Sequence, residues 1–323
     1  MERYQFVVRR FRGEVVEALF RGNLVVCDSR NIETSFVSSC YTYIRSASKP
    51  FQTIPLITTG AYERFSLSPR HLAIASGSHN GQDIHQRTVL EMLSMAGLEE
   101  SNLRCGTHPP MTKQAREEIG DKITQLSNNC SGKHASMMLI CKHMGWDMDS
   151  YLDISHPIQQ LMLDTVSKIC ESKNIKVGID GCGVPVFAMD IENMAIGFSK
   201  IANPDTAEQE YQESIKMIKN AINEFPDVYA GTDRIATKFV KDNPDSIYKS
   251  GAQGVGCFAF DGKGVAFKLE CGEEGSIFTF TVANIAKFLG ANTESLGEFL
   301  ENKNTNHLGQ TVGVVEFNIE RVG

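Results

Sequence analysis

The sequence predicts an α+β fold in which both ends of the chain contribute strands to one sheet and the middle contributes helices packed around it. Short β-branched runs crowd the N-terminal part, helical patterns occupy the middle, and apolar runs of strand length return near the C-terminus. No internal repeat, low-complexity tract or linker rich in Pro, Gly and Ser divides the chain. We therefore expect a single domain over residues 1–323.

The N-terminal strands are predicted from β-branched runs between residues 6 and 29. These runs break at Gly13 and at Gly22, where hairpin turns fit. The segment "TSFVSSCYTYI" continues the strand character up to Ser46. Two hairpins followed by a further strand are therefore expected before the first helix.

Two segments in the middle of the chain have the spacing of amphipathic helices. The first is "HPIQQLMLDTVSKIC", with Pro157 suited to the first turn. The second is "YQESIKMIKNAI". The apolar face of the first helix is formed by Ile158, Leu161, Met162, Val166 and Ile169, and that of the second by Tyr211, Ile215, Ile218 and Ile222.

The C-terminal part returns to strand patterns. Two apolar runs flank Asp261 and Gly262, which is a hairpin signal. The segments "SIFTFTVA" and "TVGVVEFNI" are also predicted to be strands. These strands would join those from the N-terminus in one sheet.

Composition excludes several classes of function. The chain has a formal net charge of −7 and no run of Lys or Arg, so we expect neither a nucleic-acid partner nor an anionic membrane surface. The N-terminus lacks the apolar stretch of a secretory signal, and no apolar run is long enough to span a bilayer. Nine scattered cysteines are typical of thiols kept reduced. A soluble, cytoplasmic globular protein is predicted.

The stretch "RSASKPFQ" places Ser46 three residues before Lys49. In a helical turn these positions share a face, so the lysine amine can reach the serine hydroxyl and act as its base. Such pairs also occur by chance, and Ser246 with Lys249 is a second one. Taken alone, the spacing leaves both a nucleophile–base pair and a coincidence open.

The stretch "IASGSHNGQDIH" has a β-like run, a small polar turn and a helix-like segment beginning near Asp83. Strand-to-helix turns expose side chains and backbone N–H groups together, which suits a nucleophile or an oxyanion site. Ser76, Ser78 and His79 are the candidates. An ordinary loop with a helix cap is the alternative.

Two further stretches contain cysteines beside other polar groups. In "NNCSGKHASMM", Cys130, Lys133 and His134 fall within one turn, and the helix is expected to start near Ser131. Cys130 could be a nucleophile, a metal ligand or a buried thiol. In "VGIDGCGVPVFA", the glycines around Cys182 allow the backbone to turn sharply. A metal site would require the fold to bring the two cysteines together.

The C-terminal half offers two more candidates and a Gly-rich loop. Arg234 in "AGTDRIAT" is a cation suited to grip a carboxylate. The loop "SGAQGVG" lacks the spacing of a phosphate-binding loop. Lys268 lies beside Glu270 in "VAFKLECG", where an outward-facing strand lysine is the simpler interpretation.

In combination and order, these blocks resemble the thermolabile, rhizobial-type L-asparaginase family. The matching blocks are "IRSASKPFQTIPL", "SGSHNG", "NNCSGKHASMM", "YLDISHPIQ", "GIDGCGVPVFAM" and "YKSGAQGVGCFAF…GVAFKLECG". The resemblance runs from about Val7 to beyond Cys271. It implies a fold similar to serine β-lactamases and penicillin-binding proteins, with a mixed, mainly antiparallel sheet. It also implies a homodimer.

The resemblance implies hydrolysis of L-asparagine to L-aspartate and ammonia through a serine acyl-enzyme. Ser46 and Lys49 match the first Ser–Lys pair of the family, and Ser78 and Lys268 match the second, whereas Lys249 matches neither. The implied zinc ligands are Cys130, Lys133 and Cys182. The residues expected to bind the substrate are His79, Asn80, His134, Asp180, Arg234, Gly251 and Ala252.

Three positions depart from the family pattern: Gln82, Asp233 and Cys271. They leave the substrate preference open, so glutamine or another small amide is an alternative to asparagine. A zinc- or amino-acid-binding protein without activity is a second alternative, against which the retained Ser–Lys pairs argue.

Overall fold

A computed structural model describes residues 1–28, 40–120 and 123–322. Its strands are β1 (Glu2–Arg12), β2 (Val15–Asp28), β3 (Tyr41–Tyr43), β4 (Lys176–Ile179), β5 (Pro185–Asp190), β6 (Ile247–Gly251), β7 (Val255–Phe260), β8 (Lys263–Leu269), β9 (Lys303–Thr305) and β10 (Thr311–Arg321). Its helices before β4 are α1 (Lys49–Thr58), α2 (Ala61–Arg64), α3 (Pro69–Ser76), α4 (Asp83–Met95), α5 (Lys113–Ile119), α6 (Ser131–Met144) and α7 (Pro157–Ile169). Those after β5 are α8 (Ile191–Ala202), α9 (Gln209–Glu224), α10 (Pro226–Tyr229), α11 (Ile235–Asp242), α12 (Ser276–Phe288) and α13 (Gly297–Leu300).

The predicted α+β class is confirmed, because one sheet is built from the two ends of the chain. Its strand order is β6-β7-β8-β2-β1-β10-β9, and every described pair of neighbours is antiparallel. The N-terminal hairpin β1–β2 therefore lies between strands that come from the C-terminal part. A smaller sheet, β3-β5-β4, is also antiparallel. Strand β6 is left at an edge of the large sheet, where its outer side can face a ligand.

Helices cover both faces of the large sheet. On one face, helix α8 approaches β8 so closely that a Cβ on Gly264 would lie 2.0 Å from the carbonyl oxygen of Ala195. On the other face, Phe258 and Phe267 meet aromatic residues of the neighbouring helices, Phe239 of α11 and Phe278 of α12. The sheet is thus buried on both sides in this region.

Several local predictions are confirmed. Helix α7 begins at Pro157, and helix α9 buries Tyr211, Ile215, Ile218 and Ile222. Asp261 and Gly262 form the β7–β8 turn, with φ values of 50° and 69°. Both central residues have positive φ, as tight hairpin turns require. The β1–β2 turn lies at Gly13, as expected.

Three local predictions are wrong. Gly22 lies inside β2 and not in a turn. A glycine is needed at this strand position because a Cβ there would lie 2.2 Å from the ring of Phe6. The segment "SIFTFTVA" belongs to helix α12, which buries apolar residues around most of its circumference and so shows no clear helical period. The run before Ser78 is helix α3 and not a strand, so the 77–82 turn joins two helices.

No helix among the described residues is both long enough and apolar enough to cross a membrane.

Candidate active site

The hydroxyl of Ser78 lies between two lysine amines. Ser78 belongs to the short turn between α3 and α4. Its Oγ is 3.0 Å from the Nζ of Lys49 and 2.8 Å from the Nζ of Lys249. Three groups able to exchange protons are therefore in direct hydrogen-bond contact.

The Lys49 amine is fully buried at the start of α1. It also lies 2.8 Å from the carbonyl oxygen of Gly77 and 2.9 Å from that of Asn129. Burial lowers the pKa of this amine, and the nearby charge of Lys133 lowers it further, although the Cys130 thiol opposes both. A neutral amine can donate two protons to the two carbonyls and direct its lone pair at Ser78. The geometry thus suits proton exchange between the Lys49 amine and the Ser78 hydroxyl.

The Lys249 amine reaches Ser78 from the edge strand β6 and lies 3.0 Å from the carbonyl oxygen of Ser250. Its side chain is 2% exposed, and burial sets its pKa well below the ordinary value. The charges of Lys49 and Arg234 lower that pKa further. Because like charges disfavour the protonated form, at least one amine of the Lys49–Lys249 pair is expected to be neutral near pH 7.

The expected pairing of Ser78 with Lys268 is wrong. The Lys268 amine donates to the carbonyl oxygens of Gln253 and Leu269, at 2.8 Å and 2.6 Å. In the sheet register Lys268 lies level with Gly251, but two strands away from β6. Neighbouring strands are about 4.8 Å apart. The backbone of Lys268 on β8 is therefore two strand spacings away from β6, the strand whose Lys249 contacts Ser78.

Ser46 and Ser78 both line a cavity of about 540 Å³. Ser46 belongs to a short 3₁₀ turn, Arg45–Ser48, that leads into α1. Arg45 has a φ of 52°, a conformation that costs a non-glycine residue energy and is found near functional sites. The expected direct contact between Ser46 and the Lys49 amine is not among the described hydrogen bonds, because that amine points to Ser78 instead.

An ion pair holds the Ser46 turn in place. Arg45 contacts Asp180 through Nε at 3.0 Å and Nη2 at 2.7 Å. Burial would raise the pKa of the Asp180 carboxyl, but the charges of Lys133 and Arg45 outweigh it and lower that pKa. Asp180 also accepts the N–H of Gly181. The pair therefore joins the serine turn to the Cys182 turn.

Cys130, Lys133 and Cys182 lie close together, although spacing in the sequence left open whether Cys182 meets Cys130. The Nζ of Lys133 is 3.5 Å from the Sγ of Cys182. A hydrogen bond between the two thiols lowers the pKa of Cys182 to about 5 and raises that of Cys130 to about 12. Among the described residues no three His, Cys, Asp or Glu side chains are grouped to hold a metal, so a site here depends on the lysine as third ligand.

His79 supports the Ser78 turn from behind, which contradicts its expected contact with substrate. Its Nδ1 accepts the N–H of Gly81 at 3.1 Å, so its Nε2 donates to the Ser131 hydroxyl at 3.0 Å. The ring stacks on His85, with centroids 4.9 Å apart. His79 is fully buried and does not line the cavity.

The other expected binding residues divide into two groups. Asp180, Arg234, Gly251 and Ala252 line the cavity. Asn80 and His134 are buried beside it: Asn80 accepts a long hydrogen bond from Arg234 (3.4 Å), and the Nδ1 of His134 is 2.6 Å from the hydroxyl of Tyr151. The Nε2 of His134 is buried without a described partner.

The stacked histidines predict a loss of stability in mild acid. Burial lowers the pKa of His85 to about 4, so folded protein keeps this ring neutral where unfolded chain protonates it. The free energy of unfolding should therefore fall as pH drops below about 6.5, by roughly 2 kcal/mol at pH 5 for His85 alone. Urea unfolding of the native protein and a His85→Gln variant at pH 7 and pH 5 measures this. An equal pH dependence in both proteins would contradict the prediction.

The model of the L-asparaginase II family matches residues 8–317 of the chain. The chain belongs to the L-asparaginase II family. This membership confirms the family resemblance found in the sequence and indicates amidohydrolase chemistry. No match to the chain was found among curated proteins.

Solved structures with similarity to this family member include a β-lactamase from Mycobacterium bovis. That protein is 10% identical, with 78% of this chain and 88% of that chain covered and a TM-score of 0.42. A penicillin-binding-protein homologue from Caulobacter crescentus is 13% identical, with 83% and 86% covered and a TM-score of 0.32. Mglu in its L-glutamate-binding form is 12% identical, with 90% and 60% covered and a TM-score of 0.37. The first two belong to the fold group predicted from the sequence, and similarity at this level says nothing about activity.

A short motif could have identified Lys249 in the sequence. β-Lactamases and penicillin-binding proteins carry Ser-x-x-Lys, then a Ser-Asp-Asn block, then Lys-Thr-Gly. This asparaginase-family chain has Ser-Ala-Ser-Lys at 46–49, Ser-His-Asn at 78–80 and Lys-Ser-Gly at 249–251, in the same order. The third block has Ser250 where the motif has threonine, and its lysine, Lys249, contacts Ser78 together with Lys49.

Proposed function

We propose that the protein hydrolyses L-asparagine to L-aspartate and ammonia through a serine acyl-enzyme. The observation that carries this proposal is the Ser78 hydroxyl held between two buried lysine amines on the wall of a cavity that also contains Ser46. Membership of the L-asparaginase II family supports the same chemistry. Buried lysines with lowered pKa values supply the neutral base that a serine nucleophile requires.

In this mechanism the Ser46 hydroxyl attacks the side-chain carboxamide carbon. Its proton passes to the Lys49–Ser78–Lys249 chain and from there to the nitrogen that leaves as ammonia. A water molecule, deprotonated by the same chain, then attacks the ester and releases L-aspartate. Ser46 is the proposed nucleophile because Ser78 is engaged by both amines, which suits a proton relay.

The tetrahedral oxyanion is assigned to backbone N–H groups around Ser46 and the end of β6. Gly251 packs so closely on the serine turn that a Cβ there would lie 2.5 Å from the carbonyl oxygen of Ile44. This contact holds the edge strand and the start of α1 in a fixed relation. Preorganised N–H donors of this kind contribute a large share of catalysis in acyl transfer.

The proposal predicts release of ammonia from L-asparagine in preference to L-glutamine. A site that holds the α-carboxylate and α-ammonium fixes the distance to the reacting carbonyl, and displacement by about 1 Å can cost on the order of a hundredfold. Ammonia release from both amino acids at matched concentrations, with acetamide as a third amide, measures the preference. Equal rates would favour a broader amidase, and no release from any amide would contradict the proposed function.

The donor set at Cys130, Lys133 and Cys182 fits zinc. Thiolates are preferred zinc ligands, and two of them balance the charge of the ion in a buried site. The lysine is an unusual third ligand, because its amine must lose a proton to bind. Burial lowers the pKa of Lys133, but the Cys182 and Cys130 thiols outweigh burial and raise it. Zinc bound there would supply a positive charge that orients the substrate and would join the Cys130 and Cys182 segments.

We expect about one zinc ion per chain in protein purified without chelator. Cys130→Ser and Cys182→Ser should each lose most of it, because each removes one thiolate from a three-residue donor set. Elemental analysis measures the content, with Cys141→Ser, a buried thiol on the same helix, as the control. Absence of zinc after zinc is supplied, or native content in both variants, would show the site assignment to be wrong. The homodimer and the cytoplasmic location stay predictions.

A further inference from the structure

The turn between β6 and β7 lies at the cavity wall and contains a strained residue. Lys249 lies on β6, and Gly251 and Ala252, which follow it, line the cavity. The next residue, Gln253, has a φ of 62°, a left-handed conformation that is uncommon for residues other than glycine. Such a conformation persists when the surrounding structure enforces it, and it is found near active sites. The contacts that hold Gln253 therefore help to fix the direction of the peptide groups at the end of β6.

On the cavity side, the turn is held by Glu274. This residue lies between β8 and α12 and lines the same cavity. Its carboxylate accepts the backbone N–H of Gln253, and the side-chain amide of Gln253 lies 3.4 Å from the same oxygen. Gly272 packs so closely here that a Cβ on it would lie 2.9 Å from the Oε1 of Gln253. Three contacts thus join the loop before α12 to one strained residue.

On the inner side, the turn is held by the backbone of β8. The N–H of Leu269 donates to the carbonyl oxygen of Gly254 at 2.8 Å. This contact does not depend on the Lys268 side chain, which also reaches the carbonyl oxygen of Gln253. Replacing Glu274, by contrast, removes the carboxylate that holds the N–H of Gln253 on the cavity side. Both residues of this contact are exposed, so its loss should cost the whole fold little.

We propose that Glu274 is a positioning residue for the hydrolysis: it holds Gln253 and thereby directs the N–H groups at the end of β6 toward the tetrahedral oxyanion. Such donors are effective when they are fixed before the charge develops. In this role Glu274 contacts the turn and not the substrate. The inference deepens the proposed function and rests on it, since the oxyanion is the one formed during amide hydrolysis.

Glu274→Ala should lower kcat for L-asparagine at least about tenfold and leave KM within about twofold, because an oxyanion donor acts in the transition state and not on the bound substrate. Glu274→Gln keeps an oxygen that can accept the N–H of Gln253, so it should restore kcat to within about threefold of the native value. Glu273→Ala is the matched control, because this neighbouring carboxylate accepts the N–H of Gly275 instead and does not line the cavity. It should leave kcat and KM within about twofold.

Hydrogen exchange in a peptide covering residues 250–256 measures the turn independently of activity. Exchange should be at least about fivefold faster in Glu274→Ala than in native protein, and Glu273→Ala should match native protein. An unchanged kcat in Glu274→Ala, or a loss that Glu274→Gln does not restore, would overturn the inference and leave the hydrolase proposal standing. A raised KM at native kcat would also overturn it, because Glu274 would then contact the substrate.

If native protein releases no ammonia from any amide, the proposed function fails, and hydrogen exchange decides the inference separately. Faster exchange in Glu274→Ala than in Glu273→Ala would support the hold of Glu274 on the turn. Equal exchange in the two variants would overturn it.

Discussion

Replacing Lys249 with methionine is expected to lower amide hydrolysis at least about a hundredfold, which is the usual scale for loss of a general acid–base group. Lys249 contacts the Ser78 hydroxyl at 2.8 Å, whereas the Lys268 amine is held by two backbone carbonyls. Lys268→Met is therefore the matched control and should keep most of the activity. Steady-state ammonia release from both variants, with folding checked by circular dichroism, measures the difference. Full activity in Lys249→Met, or loss of activity in Lys268→Met alone, would contradict the assignment of Lys249 as the lysine that acts with Ser78.

The same substitution is expected to stabilise the folded protein. Burial sets the pKa of Lys249 well below its ordinary value, so the protonated amine is less favourable in the folded chain than in the unfolded chain. Protonation of Lys249 in the unfolded chain favours unfolding. The free energy of unfolding therefore rises with pH until this lysine also loses its proton in the unfolded chain, near pH 10.4. Lys249→Met removes this cost and should raise the free energy of unfolding at pH 7. Urea unfolding tests the sign, and a destabilised variant would contradict the prediction.

Ser46→Ala and Ser78→Ala are each expected to lower hydrolysis by about a thousandfold or more, because nucleophile and proton relay act as one unit. The double variant should be little worse than either single variant, since groups that act together are strongly non-additive. Ser199→Ala, which removes a buried hydroxyl bonded within α8, is the control and should retain activity. Additive losses would show that the two serines act in independent steps.

The two serines can be told apart by where an acyl group is retained. An electrophilic amino-acid analogue that acylates the nucleophile should label Ser46 in native protein and in Ser78→Ala, but not in Ser46→Ala. Peptide mass spectrometry locates the label. Labelling of Ser78 in native protein would exchange the roles of the two serines and leave the acyl-enzyme proposal intact.

Local periodicity determined much of the fold and part of the site. Helices α7 and α9 follow from the spacing of their apolar residues, because a helix face is a property of neighbours three and four apart. The same rule placed Cys130 and Lys133 on one helical turn. Helix α12 was missed for the converse reason: its burial on nearly all sides removes the periodic signal.

Tertiary structure decided which distant groups meet. Lys249 and Lys268 lie in equally plausible apolar strands, and the choice between them depends on strand order, which puts β6 at the edge and β8 two strands inside. His79 follows Ser78 directly, yet its ring faces His85 and the start of α6, because the turn between two packed helices directs it inward. Sequence spacing specifies contacts along one element, whereas the partner of a side chain across the fold depends on how sheets and helices are stacked.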